Sequence, residues 1–378
     1  MQRVLGVIIV LGSWCLGYAQ TYSLLLAQKV QQVTEVNQQL LDYENFGPKP
    51  TGSLELELVN DWLVSYYTDL GYTVSLDSFK VGSLLTSNII IEKHGKDTTQ
   101  WVVIGAHYDS VVDSYGANDN GTGVVATMQI ARLIRDIPTQ LSVRIINFGA
   151  EELGLLGSEH YVANTLSASD SIAVMFNLDQ LGGTKSADNS KIVCERDEGN
   201  RIAQNDLPSA RKTDTLAHIF TQYTHLKPVL GPAFSTDYMP FEERGYTITG
   251  LYQESDYNAF YHSSSDRLFN MDTEATKEVI KGTVAASIYF ARPLVADTEQ
   301  DLITLVPNPA RNFVRVIVTD YTEVNYVITN ALGQQVAKGL TTVGEPIPIH
   351  VCGDGLYTFS IYTTNDVFIN ASKLIIAR

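Results

Sequence analysis

Cysteine is scarce, at three in 378 residues. Cys15 lies in the leading segment, and Cys194 and Cys352 are too few for a disulfide framework, so both are expected as free thiols. Basic residues are outnumbered as well: 26 Lys and Arg stand against 42 Asp and Glu, a formal charge of −16. Nucleic acid affinity rests largely on Lys and Arg neutralising phosphates, so that class of partner is disfavoured. After the first twenty residues no stretch approaches the ~20 continuous apolar residues of a spanning helix, so no transmembrane segment is expected. Low-complexity tracts and internal repeats are missing too. What remains is an ordinary globular composition, 44% hydrophobic and 18% charged.

The length allows a full core and more than one domain. Residues 1–19 read as a signal peptide, with Arg3, the apolar run Val4 to Leu11, and small Gly17 and Ala19 before a mature start at Gln20. A lipoprotein reading through Cys15 meets bulky Trp14 where a small residue is needed.

Apolar residues at helical spacing from Tyr22 to Tyr43 predict one amphipathic helix. Ser53 is placed to cap a second helix running to Leu70, which Gly71 ends. Strands are predicted at Tyr72–Leu76, Asn88–Ile91, Trp101–Ile104, Val143–Phe148, Ala173–Leu178 and Ile248–Tyr252, with helices near 122–136 and 273–291. Strand, acidic or histidine residue, Gly-rich loop and helix recur in that order. The alternation predicts an α/β fold with a mostly parallel or mixed sheet sandwiched by helices. From Leu305 short alternating β runs and turn signals such as Gly353-Asp-Gly355 predict a small all-β sandwich. The expected division is a catalytic domain over 20–297, a linker at 298–304 and the β domain at 305–378.

His107 and Asp109 fall at the carboxyl end of the Trp101–Ile104 strand, where ligands gather in open α/β sheets. Asp119 follows in a Gly- and Asn-rich loop, Glu151-Glu152 after the next strand, Asp179 after the one beyond, and His262 after the last. Three carboxylates and two imidazoles (His107, Asp119, Glu152, Asp179, His262) match the donors of a paired divalent-metal site, which needs one bridging carboxylate plus one imidazole and one carboxylate per ion. Glu151 is expected to diverge from Glu152 and to be free to take a proton from water. Asp109 is placed to hold the His107 ring from behind. Singly each residue is a weak signal, since a strand-end histidine is more often a capped surface residue and Glu151-Glu152 alone could be a solvated helix start. His94, His160, His218, His225 and His350 lack a matching second donor and are read as ordinary.

The segments Gly105-Ala-His-Tyr-Asp-Ser110, Gly116-Ala-Asn-Asp-Asn-Gly-Thr-Gly123, Gly149-Ala-Glu-Glu-Leu-Gly-Leu-Leu-Gly-Ser158, Asn177-Leu-Asp179 and Tyr261-His262 resemble, in order and spacing, the co-catalytic zinc aminopeptidases. The resemblance covers roughly Val36 to Arg292 and implies a zinc exopeptidase fold of the phosphorylase/hydrolase-like type. It implies two zinc ions bridged by Asp119, one completed by His107 and Asp179, the other by Glu152 and His262, with Glu151 as general base. It also implies a cis Asp119–Asn120 peptide bond and peptide substrates with a free N-terminus. Val306-Pro-Asn-Pro309, Asn330-Ala-Leu-Gly-Gln-Gln-Val336, Gly355-Leu-Tyr357 and Lys373-Leu-Ile-Ile-Ala-Arg378 resemble the C-terminal sorting domain of the type IX secretion system. Val306 replaces its usual opening aromatic. That resemblance implies export through the periplasm of a Gram-negative bacterium to the medium or cell surface.

The reading is an exported metallo-aminopeptidase. Its rivals are a one-zinc glutaminyl-peptide cyclotransferase of the same fold, a carboxypeptidase, for which no Arg cluster is seen, and a non-catalytic surface binding protein. The stretch 184–215 is expected as a long loop able to shape the substrate pocket.

Overall fold

Glu35 adopts a left-handed backbone conformation, φ 61°, and there the single helix expected from Tyr22 to Tyr43 breaks into α1, residues 22–31, and α2, Val36–Asn45. Apolar periodicity runs through the break unchanged, so spacing alone could not reveal it. The computed structural model describes residues 22–253, 260–294, 303–318, 321–330, 333–364 and 368–378. The signal segment 1–19 and most of the expected linker lie outside them. Helix α3, Leu54–Asp69, begins as expected: the Ser53 hydroxyl accepts from Leu56 N–H at 3.1 Å, and Glu55 and Glu57 complement the helix dipole.

Residues 32–294 form one compact unit around an eight-stranded mixed sheet. Its strands are β1 (Val74–Val81), β2 (Leu84–Lys93), β3 (Asp97–His107), β4 (Leu141–Phe148), β5 (Ser171–Leu178), β7 (Lys191–Arg196), β8 (Lys227–Pro232) and β9 (Ile248–Tyr252), in the spatial order β1-β2-β4-β3-β5-β9-β7-β8. Strands β4, β3, β5 and β9 run parallel at the centre, while the β1–β2 hairpin and the β7–β9 pair introduce antiparallel edges. Short β6 (Gly183–Thr184) pairs with β10 (Met271–Asp272).

All eight residues of β4 and the last seven of β3 are buried, as a sheet covered on both faces requires. Trp101 and Val103 join a cluster with Tyr161, Tyr238 and Phe241. The alternating Val102 and Ile104 turn to the other face, where α4 (Gly121–Ile134) packs on β3 and β4 and on α8 (Thr273–Phe290). Helix α5 (Leu156–His160), continued by a π-helical turn over Tyr161–Thr165, and α7 (Met239–Glu242) complete the connections. Among the described residues no helix is long and apolar enough to cross a membrane.

Segment 184–215 is not a loop. It contains β7 and the start of α6 (Ala203–Tyr223), a 21-residue helix with Pro208 inside it. Proline and the polar run Gln204-Asn-Asp206 mask the helical pattern, because both normally mark turns.

The C-terminal β unit is a separate sandwich. A three-stranded sheet, β11 (Ile303–Val306), β12 (Phe313–Val318) and β15 (Ile347–Pro348), shares one core with a four-stranded sheet. That second sheet is β14 (Gln335–Thr342), β13 (Glu323–Asn330), β16 (Gly355–Tyr362) and β17 (Phe368–Ile376), antiparallel throughout. Val314, Val316, Val324, Ile328, Phe359 and Leu374 are fully buried between them. The first strand begins two residues before the expected boundary at Leu305. Cys194 and Cys352 are both buried free thiols, as expected.

Candidate metal-binding site

The parallel strands deliver their acidic and histidine residues to one edge. His107 is the last residue of β3, Asp179 follows β5, and Glu151-Glu152 follow β4 in a turn whose Ala150 has φ 58°. Asp119 sits just before α4, where Asn120 caps the helix by accepting from Gly123 N–H at 3.0 Å. The Asp119–Asn120 peptide bond is cis.

His107 Nε2 lies 3.2 Å from Asp119 Oδ1 and 3.4 Å from Asp179 Oδ1. His262 Nε2 lies 3.3 Å from Asp119 Oδ2 and 2.9 Å from Glu152 Oε2. Two donor triads therefore share Asp119, one oxygen facing each: His107–Asp119–Asp179 and His262–Asp119–Glu152. His107 Nδ1 is 3.2 Å from the Asp109 carbonyl oxygen, which can only accept. Nδ1 therefore carries the proton and Nε2 presents its lone pair to the carboxylates. Lone pairs facing lone pairs need a proton or a cation between them.

Glu151 does not diverge from Glu152. Both come together with His107 in a third cluster, with Glu151 Oε2 3.9 Å from His107 Nε2. The reason is the left-handed Ala150 and the turn after it, since neighbouring side chains point apart in an extended strand but converge in a turn. Asp109 holds that turn more than it holds the imidazole. Its Oδ1 accepts from Glu151 N–H at 3.1 Å and its Oδ2 from Glu152 N–H at 3.3 Å.

The cluster carries more negative charge than its surroundings balance. Burial pushes the Glu151 carboxyl up to about 10, with Asp237 and Asp179 adding to the rise against the opposing pull of His107. Burial and the charge of Asp119 push Glu152 up to about 8. Burial alone would lower His107, but Glu151 and Asp179 outweigh it and hold the imidazole well above its usual value. Burial would raise Asp119, and its bonds to His107 and His262 overcome that. Glu152 Oε1 and Asp179 Oδ1 are buried without a hydrogen-bond partner among the described residues. Orphaned carboxylate oxygens, imidazole lone pairs and uncompensated charge at one point fit divalent cations.

Of three supporting residues, Tyr261 belongs to the Tyr261-His262 pair already singled out in the sequence, while Asp266 and Thr236 carry no sequence signal. Asp266 accepts from Asn118 N–H at 2.9 Å and Asp119 N–H at 3.0 Å, and so braces the loop that presents Asp119. Thr236 donates to Asp179 Oδ2 at 2.8 Å, and the Tyr261 ring stacks on His262 with centroids 3.7 Å apart. Asp266→Ala strands two buried N–H groups, each worth about 1–3 kcal/mol. Urea unfolding should show that loss, and an unchanged midpoint would remove Asp266 from the site's support.

Two cavities meet at Glu152 and His262. One, about 460 Å³, is walled largely by Pro50, Val111, Val112 and Leu153. The other, about 680 Å³, contains Asp119, Glu151 and Asp179 and runs on to Glu195, Thr236 and Gln253.

A helix-covered mixed sheet with carboxylates and imidazoles converging at its carboxyl edge is the architecture of an α/β protein with a divalent-metal site at the carboxyl ends of its strands. The chain belongs to peptidase family M28, whose model matches residues 88–287. It is 33% identical over 199 residues to the aminopeptidase YwaD of Bacillus subtilis, covering 50% of this chain and 41% of that one. The chain spans about half the length of the curated relatives it matches. Among solved structures, a zinc aminopeptidase from Bacillus subtilis superposes with a TM-score of 0.58 at 19% identity, covering 73% of this chain and 95% of that one. A glutaminyl cyclase from Bacteroides thetaiotaomicron gives 0.57 at 18%, covering 68% and 97%. At those identities the likeness is one of fold.

Proposed function

We propose that this chain is a zinc aminopeptidase that removes N-terminal residues from peptides. The observation that carries the reading is the shared Asp119, with its two oxygens turned to two separate imidazole–carboxylate pairs. Asp119 would bridge two zinc ions, His107 and Asp179 would complete one, and Glu152 and His262 the other. When bound, such ions supply Lewis-acid polarisation of the scissile carbonyl and acidify water.

The remaining steps belong to the protein. Glu151, on the cavity wall, takes the proton from the attacking water on a carboxylate oxygen and returns it to the departing amine. Asp109 keeps Glu151 and Glu152 in register through their N–H groups. The N-terminal residue occupies the larger, acidic cavity, whose carboxylates favour a free ammonium. The departing peptide lies over the apolar wall of Val111, Val112 and Leu153.

Aminoacyl amides should be cleaved by the zinc-loaded protein, and N-acetylation should suppress cleavage. Equal rates on blocked and free substrates would end the aminopeptidase reading. A one-zinc cyclase would bind a single ion and release ammonia from N-terminal glutamine without cutting a peptide bond.

The C-terminal sandwich is proposed as a type IX sorting domain that serves export and not chemistry, since every donor residue precedes Arg292. Truncation before Leu305 should leave peptidase activity per molecule unchanged. Removing Lys373 to Arg378 should retain the protein in the periplasm of a host with that secretion system. Activity lost on truncation would make the sandwich part of the enzyme.

A further inference from the structure

The larger cavity contains a buried side chain that the proposed chemistry leaves unused. Gln253 is 8% exposed and lines the cavity, and among the described residues neither its Nε2 nor its Oε1 has a hydrogen-bond partner. Its position is well anchored: it follows the end of β9, and its N–H donates to the Gln180 carbonyl at 3.0 Å. Gln180 adjoins Asp179, so the stranded carboxamide stands one strand from a proposed zinc ligand, on the wall the N-terminal residue must face. Buried polar groups are almost always satisfied, and where the protein offers no partner, whatever fills the cavity has to.

We infer that Gln253 is the specificity-determining residue of this cavity, and that it selects an N-terminal residue with a carboxamide side chain, glutamine or asparagine. Gln253 strands one donor group and one acceptor together. A second carboxamide satisfies both in a single planar pair. An ammonium supplies donors alone. A carboxylate supplies acceptors alone and adds negative charge beside Glu151 and Glu195. An aliphatic side chain satisfies neither, and on entering it displaces any water that served Gln253 in the free protein. Sites built to hydrogen-bond a substrate group reject analogues lacking it far more strongly than apolar pockets reject a missing methylene.

The inference rests on the aminopeptidase reading, and the test separates the two. In the full zinc-loaded chain, kcat/KM is measured for glutaminyl, asparaginyl and leucyl 4-nitroanilides with the unaltered protein, Gln253→Met and Gln253→Glu. The better carboxamide substrate should lead leucine by at least about tenfold. Gln253→Met should lower it about ten- to a hundredfold and raise leucine by about fivefold or more, because leucine then strands no buried carboxamide. Gln253→Glu keeps the size but loses the donor, so it should lower the carboxamide substrates too, and it carries the test if the methionine variant does not fold. Leucine preferred by the unaltered protein, or one common factor lost on all three substrates, would overturn the inference. The second result would mean that Gln253 holds the substrate backbone. If no amide is cleaved, the aminopeptidase reading fails by itself. Calorimetry with free glutamine and leucine then decides the pocket: tighter glutamine binding that Gln253→Met removes upholds it, and equal binding sinks it.

Discussion

Glu151→Gln is expected to lower kcat by about 10² to 10⁴ while zinc content and KM stay near their original values. That range is what the loss of a positioned general base costs. Glutamine keeps the size of the side chain and its place in the turn held by Asp109, so the substitution removes the base and little else. The metal-free balance of charge makes the expectation sharper. Burial, with Asp237 and Asp179 nearby, pushes Glu151 up to about 10, where it would keep its proton at neutral pH and could not act as a base. Cations held by the neighbouring triads are what would return it to the ionised form. Near-normal turnover in a variant that still binds two zinc ions would place the base elsewhere.

Asp119→Ala should strip both ions and reduce activity by at least about 10³, since metal assistance contributes several kcal/mol and each 1.36 kcal/mol is tenfold in rate. Among the described residues no other carboxylate belongs to both triads. His107→Ala touches one triad and should weaken one ion more than the other. Elemental analysis after dialysis against buffered zinc measures both. A variant Asp119→Ala that retains two ions would dismiss the bridging role, and an unaltered protein saturating at one ion would move the assignment toward the one-zinc cyclase.

Much of the placement of the candidate donors was legible in the sequence, because chain order in a parallel sheet is a spatial statement. Successive strands pointing the same way bring His107, the Glu151-Glu152 turn and Asp179 to one edge, a Gly- and Asn-rich loop delivers Asp119 there, and His262 follows the last parallel strand in chain order. The Ser53 cap, the α8 span and the β9 limits followed from local rules that tertiary packing did not override. The sequence also determined, through its few cysteines and its alternating β runs, two free thiols and a separate antiparallel sandwich.

Where one φ angle decides the outcome, periodicity was blind. Glu35 at φ 61° splits a helix whose apolar spacing continues across it, and Ala150 at φ 58° turns Glu151 and Glu152 toward the same centre. Polar Asn205 and Pro208 hid α6, because a helix interior can absorb a proline when packing against β7, β9 and α8 supports it. Asp266 and Thr236 are ordinary in sequence and acquire a role through partners 147 and 57 residues away. The sequence by itself determined which donor types reach the carboxyl edge of the sheet, since strand direction and residue order are written in the chain. Tertiary structure alone decided how those donors are shared, that each Asp119 oxygen faces a different imidazole and that Gln253 is left without a partner among the described residues, because those relations depend on distances between segments that no local rule sets.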